Sequence, residues 1–194
     1  MIRIVGLSGN VKAPSRTAAL TSALLDEARR DLVAETRHIS LVEAAPVLFR
    51  ALRAEQLDDE GLEIIEAIER ADALIVSSPV YRASYTGALK HLFDLVDYRA
   101  LTGVPVILAA TGGRALHGLM PDQQLRPLMA FFKALPLPTT VYAVESDFVD
   151  FAVANDALRE RIAEAGAELR TALTKPAASL RRKLSEPTFA RRTA

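Results

Sequence analysis

Two short segments of this chain are apolar without a break. Ala73-Leu74-Ile75-Val76 runs into Ser77-Ser78-Pro79, and Val104 to Ala110 runs into Thr111-Gly112-Gly113-Arg114. A strand with one wet face alternates, so runs this continuous must be covered on both faces. The cover is written between them as amphipathic helices. Leu20, Leu24 and Ala28 recur within 17–30, and Leu62, Ile65, Ile68 and Ala71 within about 58–71. Leu89, Leu92, Phe93 and Val96 follow a start at Thr86 or Gly87, and Leu158, Ile162, Ala165, Leu169 and Leu173 mark a closing helix over 156–173.

The same reading gives a first strand over Ile2 to Leu7, an edge strand over 33–41 and a fifth strand over 139–144. A helix rich in Leu, Met and Phe is predicted at roughly 121–134, and residues 42–57 are ambiguous. Strands alternating with helices make a parallel, right-handed, doubly wound α/β sheet. Five strands in 194 residues point to the flavodoxin-like order 2-1-3-4-5. Its ligands sit outside the carboxyl ends of the strands, where the order reverses between strands 1 and 3. One domain is expected over 1–175. A basic tail follows over 176–194: residues 175–194 hold Lys175, Arg181, Arg182, Lys183, Arg191 and Arg192 against one acid, Glu186.

Bulk chemistry removes several function classes. Lys plus Arg (24) equals Asp plus Glu (24), so no net field argues for nucleic acid or a membrane surface. There is no cysteine, which excludes thiol nucleophiles, Fe–S clusters and Cys-type zinc sites. His38, His91 and His117 are too scattered for a metal motif, so no metal is expected. No run approaches a membrane span, and the N-terminus lacks a secretory pattern. A soluble, cytoplasmic protein is the expectation.

Three loops fall at the carboxyl end of the sheet. The first, Leu7 to Thr17, leaves a strand and opens a helix, where unpaired N–H groups and the positive helix end point at one spot. Ser8, Asn10, Ser15 and Thr17 add polar side chains, Lys12 and Arg16 add charge, and no carboxylate interrupts. This is the composition of a phosphate site. It is neither Gly-x-x-x-x-Gly-Lys-[Ser/Thr] nor Gly-x-Gly-x-x-Gly, so a P-loop and a Rossmann dinucleotide loop are both excluded. A helix cap with incidental charges explains Ser15 or Thr17 but not the donor-only composition. The second loop, Ser77 to Gly87, offers a rigid Pro79-Val80 wall and two tyrosines, Tyr81 and Tyr85, for a flat ring. In the third, Gly112-Gly113 permits backbone approach to a ring edge.

Together these motifs resemble the flavodoxin-like NADPH-dependent FMN reductases that feed sulfonate or sulfone monooxygenases. They are Ser8-Gly9-Asn10 with Pro14-Ser15-Arg16-Thr17; Ser78-Pro79-Val80-Tyr81-Arg82-Ala83-Ser84-Tyr85-Thr86-Gly87-Ala88-Leu89-Lys90; and Thr111-Gly112-Gly113 with His117. The resemblance implies that Ser8, Asn10, Ser15, Arg16 and Thr17 hold the FMN phosphate. It implies that Pro79, Val80, Tyr81, Arg82, Ala83, Ser84 and Tyr85 flank the ring and ribityl chain, and that Thr111, Gly112, Gly113 and Arg114 line the pyrimidine side. Arg82 and Arg114 are placed to meet NADPH phosphate. No side-chain acid or base is needed between NADPH and FMN, so no catalytic side chain is expected.

The resemblance also implies a homodimer or homotetramer and a transient contact with a flavin-dependent monooxygenase. The run Leu128-Met129-Ala130-Phe131-Phe132, more apolar than one buried face needs, reads as a subunit face. Azo or quinone reduction would use the same electrons on another acceptor. A flavodoxin-type FMN carrier would be more acidic and richer in aromatics, and a non-flavin module would leave Gly112-Gly113 and the Tyr-rich loop without a role.

Overall fold

The computed structural model describes residues 1–174; the basic tail expected at 176–194 lies outside the described residues. The elements run β1 (Ile2–Ser8), α1 (Arg16–Ala28), β2 (Ala34–Ser40), α2 (Leu41–Leu48), α3 (Asp59–Glu69), β3 (Ala73–Pro79), α4 (Gly87–Leu95) and β4 (Pro105–Gly112). A π-helical turn (Pro121–Leu125) leads into α5 (Arg126–Phe131). Then come β5 (Leu135–Pro136), β6 (Val141–Val144), the hairpin β7 (Phe148–Val149) and β8 (Ala152–Val153), and α6 (Asp156–Thr174).

The sheet is parallel in the order β2-β1-β3-β4-β5, with β6 also paired to β4. This is the expected doubly wound order, flavodoxin-like, with its switch point between β1 and β3. The continuous apolar runs are buried on both faces, as predicted. Val5, Leu7, Leu74, Val76, Val106 and Leu108 face α2 to α5, while Ile4, Ile75, Ile107 and Ala109 face α1 and α6. Each such side chain withdrawn from water stabilises the fold by about 1.5–3 kcal/mol before entropy is counted. Helix α1 lies hard against β1 because Gly6 has no side chain. A Cβ there would come within 2.7–2.9 Å of Leu25 and Thr21.

The fifth strand position differs from the sequence reading: it is filled by two pieces. Leu135–Pro136 pairs with Pro105 and Val106, and Val141–Val144 pairs with Ala109 to Gly112. Pro136 and Pro138 flank Leu137 and supply no N–H for a continuous ladder. Side chains satisfy the break instead. Arg126 donates to the carbonyls of Pro136 (3.2 Å) and Leu137 (3.1 Å), and Glu168 accepts from the Thr139 N–H (3.0 Å) and hydroxyl (2.7 Å).

Candidate functional site: three loops stapled at the carboxyl edge

The three loops meet, and hydrogen bonds hold them together. The Gly9 N–H donates to the Ser77 carbonyl (2.8 Å), and the Thr86 hydroxyl donates to the Gly9 carbonyl (2.7 Å). These bonds join the first loop to the second. The Val80 N–H donates to the Thr111 carbonyl (2.8 Å), joining the second to the third. Thr17 and Thr111 close the ring of contacts, their hydroxyl oxygens 2.6 Å apart and both residues buried.

In the first loop Ser15 caps α1: its hydroxyl accepts from the N–H groups of Thr17 (3.2 Å) and Ala18 (3.4 Å). Among the described residues, the N–H groups of Asn10, Val11, Lys12, Ala13 and Arg16 have no hydrogen-bond partner. They lie in the loop that precedes α1 and at its first residue, where free backbone donors suit an anion. Asn10 is buried; its amide nitrogen donates to the Lys12 carbonyl (3.1 Å), while its Oδ1 has no partner. A buried acceptor without a donor is costly. A ligand hydroxyl at the loop would satisfy it, so the residues present fit a phosphorylated, hydroxylated chain such as the ribityl phosphate of FMN. Ser8 is placed differently from its loop neighbours. Its hydroxyl is fully buried and pairs with His38 Nε2 at 2.9 Å, and His38 Nδ1 reaches Ser22 at 3.3 Å. Burial holds the His38 imidazolium pKa below its usual range, opposed by the nearby Glu43 carboxylate.

The second loop is a tight turn. Tyr81 and Ser84 exchange backbone bonds (2.9 and 3.1 Å), and the two residues between them, Arg82 and Ala83, both have positive φ, 53° and 65°. Positive φ at both central positions marks a type I′ hairpin turn, normally built from Asn and Gly. The chain holds two side-chain-bearing residues there, at a cost of about 1–2 kcal/mol each. Their N–H groups have no partner among the described residues. Tyr81 is exposed, Tyr85 leans on the core, and Ser84 donates to Gln124 of the π-helical turn at 3.2 Å. Pro79 and Val80 are half-buried and form the wall between.

In the third loop Gly112 and Gly113 do different jobs. A Cβ on Gly112 would lie 2.1 Å from the Tyr142 hydroxyl, so that position is set by Tyr142, which donates to the Arg114 carbonyl at 2.6 Å. Burial raises the Tyr142 pKa and keeps it a donor. A Cβ on Gly113 would meet nothing within 4 Å. Gly113 is therefore unobstructed and exposed, beside exposed Arg114.

Glu145, beside the first loop, carried no signal in the sequence. Arg16 is ion-paired with Glu145, which follows β6, and lies 5.7 Å from the centre of the Phe151 ring at the tip of the β7–β8 hairpin. The loop is free of carboxylates in sequence but not in space. Two surface cavities of ≈ 220 and ≈ 250 Å³ lie elsewhere, around β2 and α3, and Arg37 and Glu63 line both as an ion pair at 3.0 Å.

Comparison with known proteins places this geometry. Residues 2–148 match the family described as NADPH-dependent FMN reductase. The chain is 48% identical to the NADH-dependent FMN reductase SfnF of Pseudomonas fluorescens, over 90% of this chain and 95% of that one. It is 46% identical to an FMN reductase (NADPH) of Pseudomonas aeruginosa, over 86% and 91%. Among solved structures it resembles the apo form of the NADH:FMN oxidoreductase EmoB, with TM-score 0.81 and 31% identity over 91% of this chain and 92% of that one. Likeness to a flavodoxin, WrbA-like protein of Agrobacterium tumefaciens (TM-score 0.63, 13% identity, 88% and 96% covered) shows the shared fold. A continuous match over residues 2–148, with relatives 46–48% identical along most of both chains, means that this chain belongs to the NADPH-dependent FMN reductase family.

Proposed function

We propose that the protein is an NAD(P)H:FMN oxidoreductase that releases reduced FMN to a flavin-dependent monooxygenase of the sulfonate or sulfone type. The observation that supports the reading is the convergence of the stapled loops: free N–H donors and Arg16 in one, a strained aromatic turn in the next, and an unobstructed Gly113 in the third. FMN, when bound, supplies the redox chemistry by accepting electrons from the nicotinamide.

The chain's own residues bind and orient. Asn10, Ser15 and Arg16, with the N-terminus of α1, hold the phosphate, while Thr17, its N–H on Ser15 and its hydroxyl on Thr111, braces the loop from behind. The Asn10 carbonyl oxygen takes a ribityl hydroxyl. Pro79 to Tyr85 flank the ring, and the N–H groups of Arg82, Ala83, Gly113 and Arg114 stand ready to donate to its polar edge. Ser8 acts from behind, bracing the end of β1 through His38. Arg82 and Arg114, both exposed on the cleft rim, meet the nicotinamide donor's phosphates. The monooxygenase hand-off rests on the motif resemblance. A homo-oligomer fits the exposure of Phe131 (67%) and Leu135 (49%) beside α5. Among the described residues no helix is long and apolar enough to cross a membrane, and a cytoplasmic location goes with this reading.

Initial rates of NADPH and NADH oxidation with FMN, a quinone or an azo dye as acceptor test the proposal. FMN is expected to support the fastest turnover. Faster turnover of the quinone or dye without flavin would replace the proposal with a quinone or azo reductase.

A further inference from the structure

The contact between Arg16 and Glu145 is delivered by a built element. Asp147, two residues beyond Glu145, ties the segment down: its carboxylate accepts from the Val144 N–H and the Asn155 amide (both 2.7 Å), and its carbonyl accepts from the Ala154 N–H (2.8 Å). Buried Phe148 anchors the hairpin in the core formed with α1 and α6. At the tip, Asp150 and Phe151 both hold positive φ, 48° and 61°, a conformation that side-chain-bearing residues adopt only when their surroundings impose it. The segment thus presents a carboxylate and an aromatic ring to the one arginine of the phosphate loop.

We propose that Glu145 is a built-in competitor for Arg16, which lowers the affinity for the flavin phosphate and so keeps FMN an exchanging substrate. The inference rests on the phosphate-site reading above. Its physical basis is charge. The Glu145 side chain is 70% exposed and that of Arg16 38%, so the pair is weak and a phosphate carrying nearly two charges displaces it. Binding must first break that pair, so the observed affinity is the phosphate's attraction less the carboxylate's. Removing the carboxylate charge leaves Arg16 fully available and removes a negative group from the edge of the anion site.

The test is a set of equilibrium titrations of the full chain by flavin fluorescence at fixed low salt, with FMN and riboflavin as probes. Glu145→Gln is expected to tighten FMN about two- to fivefold and to leave riboflavin, which has no phosphate, unchanged. Inorganic phosphate, which meets the same arginine, should gain by a similar factor, so the excess that displaces FMN should be about the same in wild type and variant. Arg16→Ala should weaken FMN, and adding Glu145→Gln to it should tighten FMN by less than the same change does in wild type, because only the through-space repulsion of the carboxylate is then left to remove. FMN affinity unchanged or weakened in Glu145→Gln, with Arg16→Ala still weakening it, overturns the competitor role and leaves the phosphate site standing. Unchanged FMN affinity in Arg16→Ala overturns the phosphate site itself.

Discussion

The hydroxyls of Thr17 and Thr111 lie 2.6 Å apart, in residues 94 positions distant, and join helix α1, which the first loop opens, to the strand that carries the third loop. Both residues are buried, so neither hydroxyl has water as a substitute. Thr17→Val or Thr111→Val alone leaves the other hydroxyl unpaired and is expected to destabilise the fold by about 1–3 kcal/mol. The double variant restores an apolar match and should cost less than the two single changes together. Urea unfolding of all four proteins measures the coupling. Additive losses would show that the two hydroxyls do not depend on each other.

The turn at Arg82 and Ala83 stores backbone strain. Ala83→Gly removes the Cβ penalty at φ 65° and gives back part of it as unfolded-chain entropy. A net gain of about 0.5–1 kcal/mol is expected by thermal or urea unfolding. Flavin affinity should fall, because a looser turn no longer holds its free N–H groups in place before binding. A destabilised Ala83→Gly protein would show that the positive φ is not imposed on the alanine.

Arg16→Ala should weaken FMN binding by about 1.5–3 kcal/mol, the size of a charge-assisted hydrogen bond. Riboflavin binding should stay as it is. Equal weakening of both flavins would place Arg16 against the ring instead of the phosphate.

His38 gives stability a pH dependence. Burial lowers its folded pKa below the ordinary 6.5, so the unfolded chain takes up the proton first as pH falls. The contribution is complete above the ordinary value and is lost as pH drops through the lowered one. His38→Gln keeps a polar group for Ser8 and cannot titrate. Its unfolding free energy should decline less than that of wild type between about pH 7 and pH 5. Parallel decline in the two proteins would assign the slope to other groups.

Much of this architecture was legible because apolar continuity and helical periodicity are local signals. The apolar runs 73–76 and 104–110, read as covered on both faces, are buried throughout, and Thr86 caps α4 where the pattern began. What failed was decided elsewhere in the chain. Residues 42–57 carried no clear local pattern, and helix α2 (Leu41–Leu48) forms there with Pro46 inside it at the loss of one N–H donor. The split of the fifth strand depends on Arg126 and Glu168, which no local pattern couples to Thr139. The π-helical turn at 121–125 has the same composition as an α-helix and differs only in hydrogen-bond offset. The β7–β8 hairpin turns at Asp150-Phe151, without the Asn-Gly or Asp-Gly that announces such turns. The Glu145 contact therefore stayed hidden: it joins residues 129 positions apart through an element with no sequence signature.

The function proposed for the three stapled loops is NAD(P)H-driven reduction of FMN. Steady-state oxidation of NADPH and of NADH, followed against FMN concentration with riboflavin in parallel, tests it most directly. Oxidation should be negligible without flavin and rise to saturation with FMN, and riboflavin should need a higher concentration to reach half its maximal rate. Nicotinamide oxidation that ignores added FMN, or no oxidation at saturating FMN, would contradict the account.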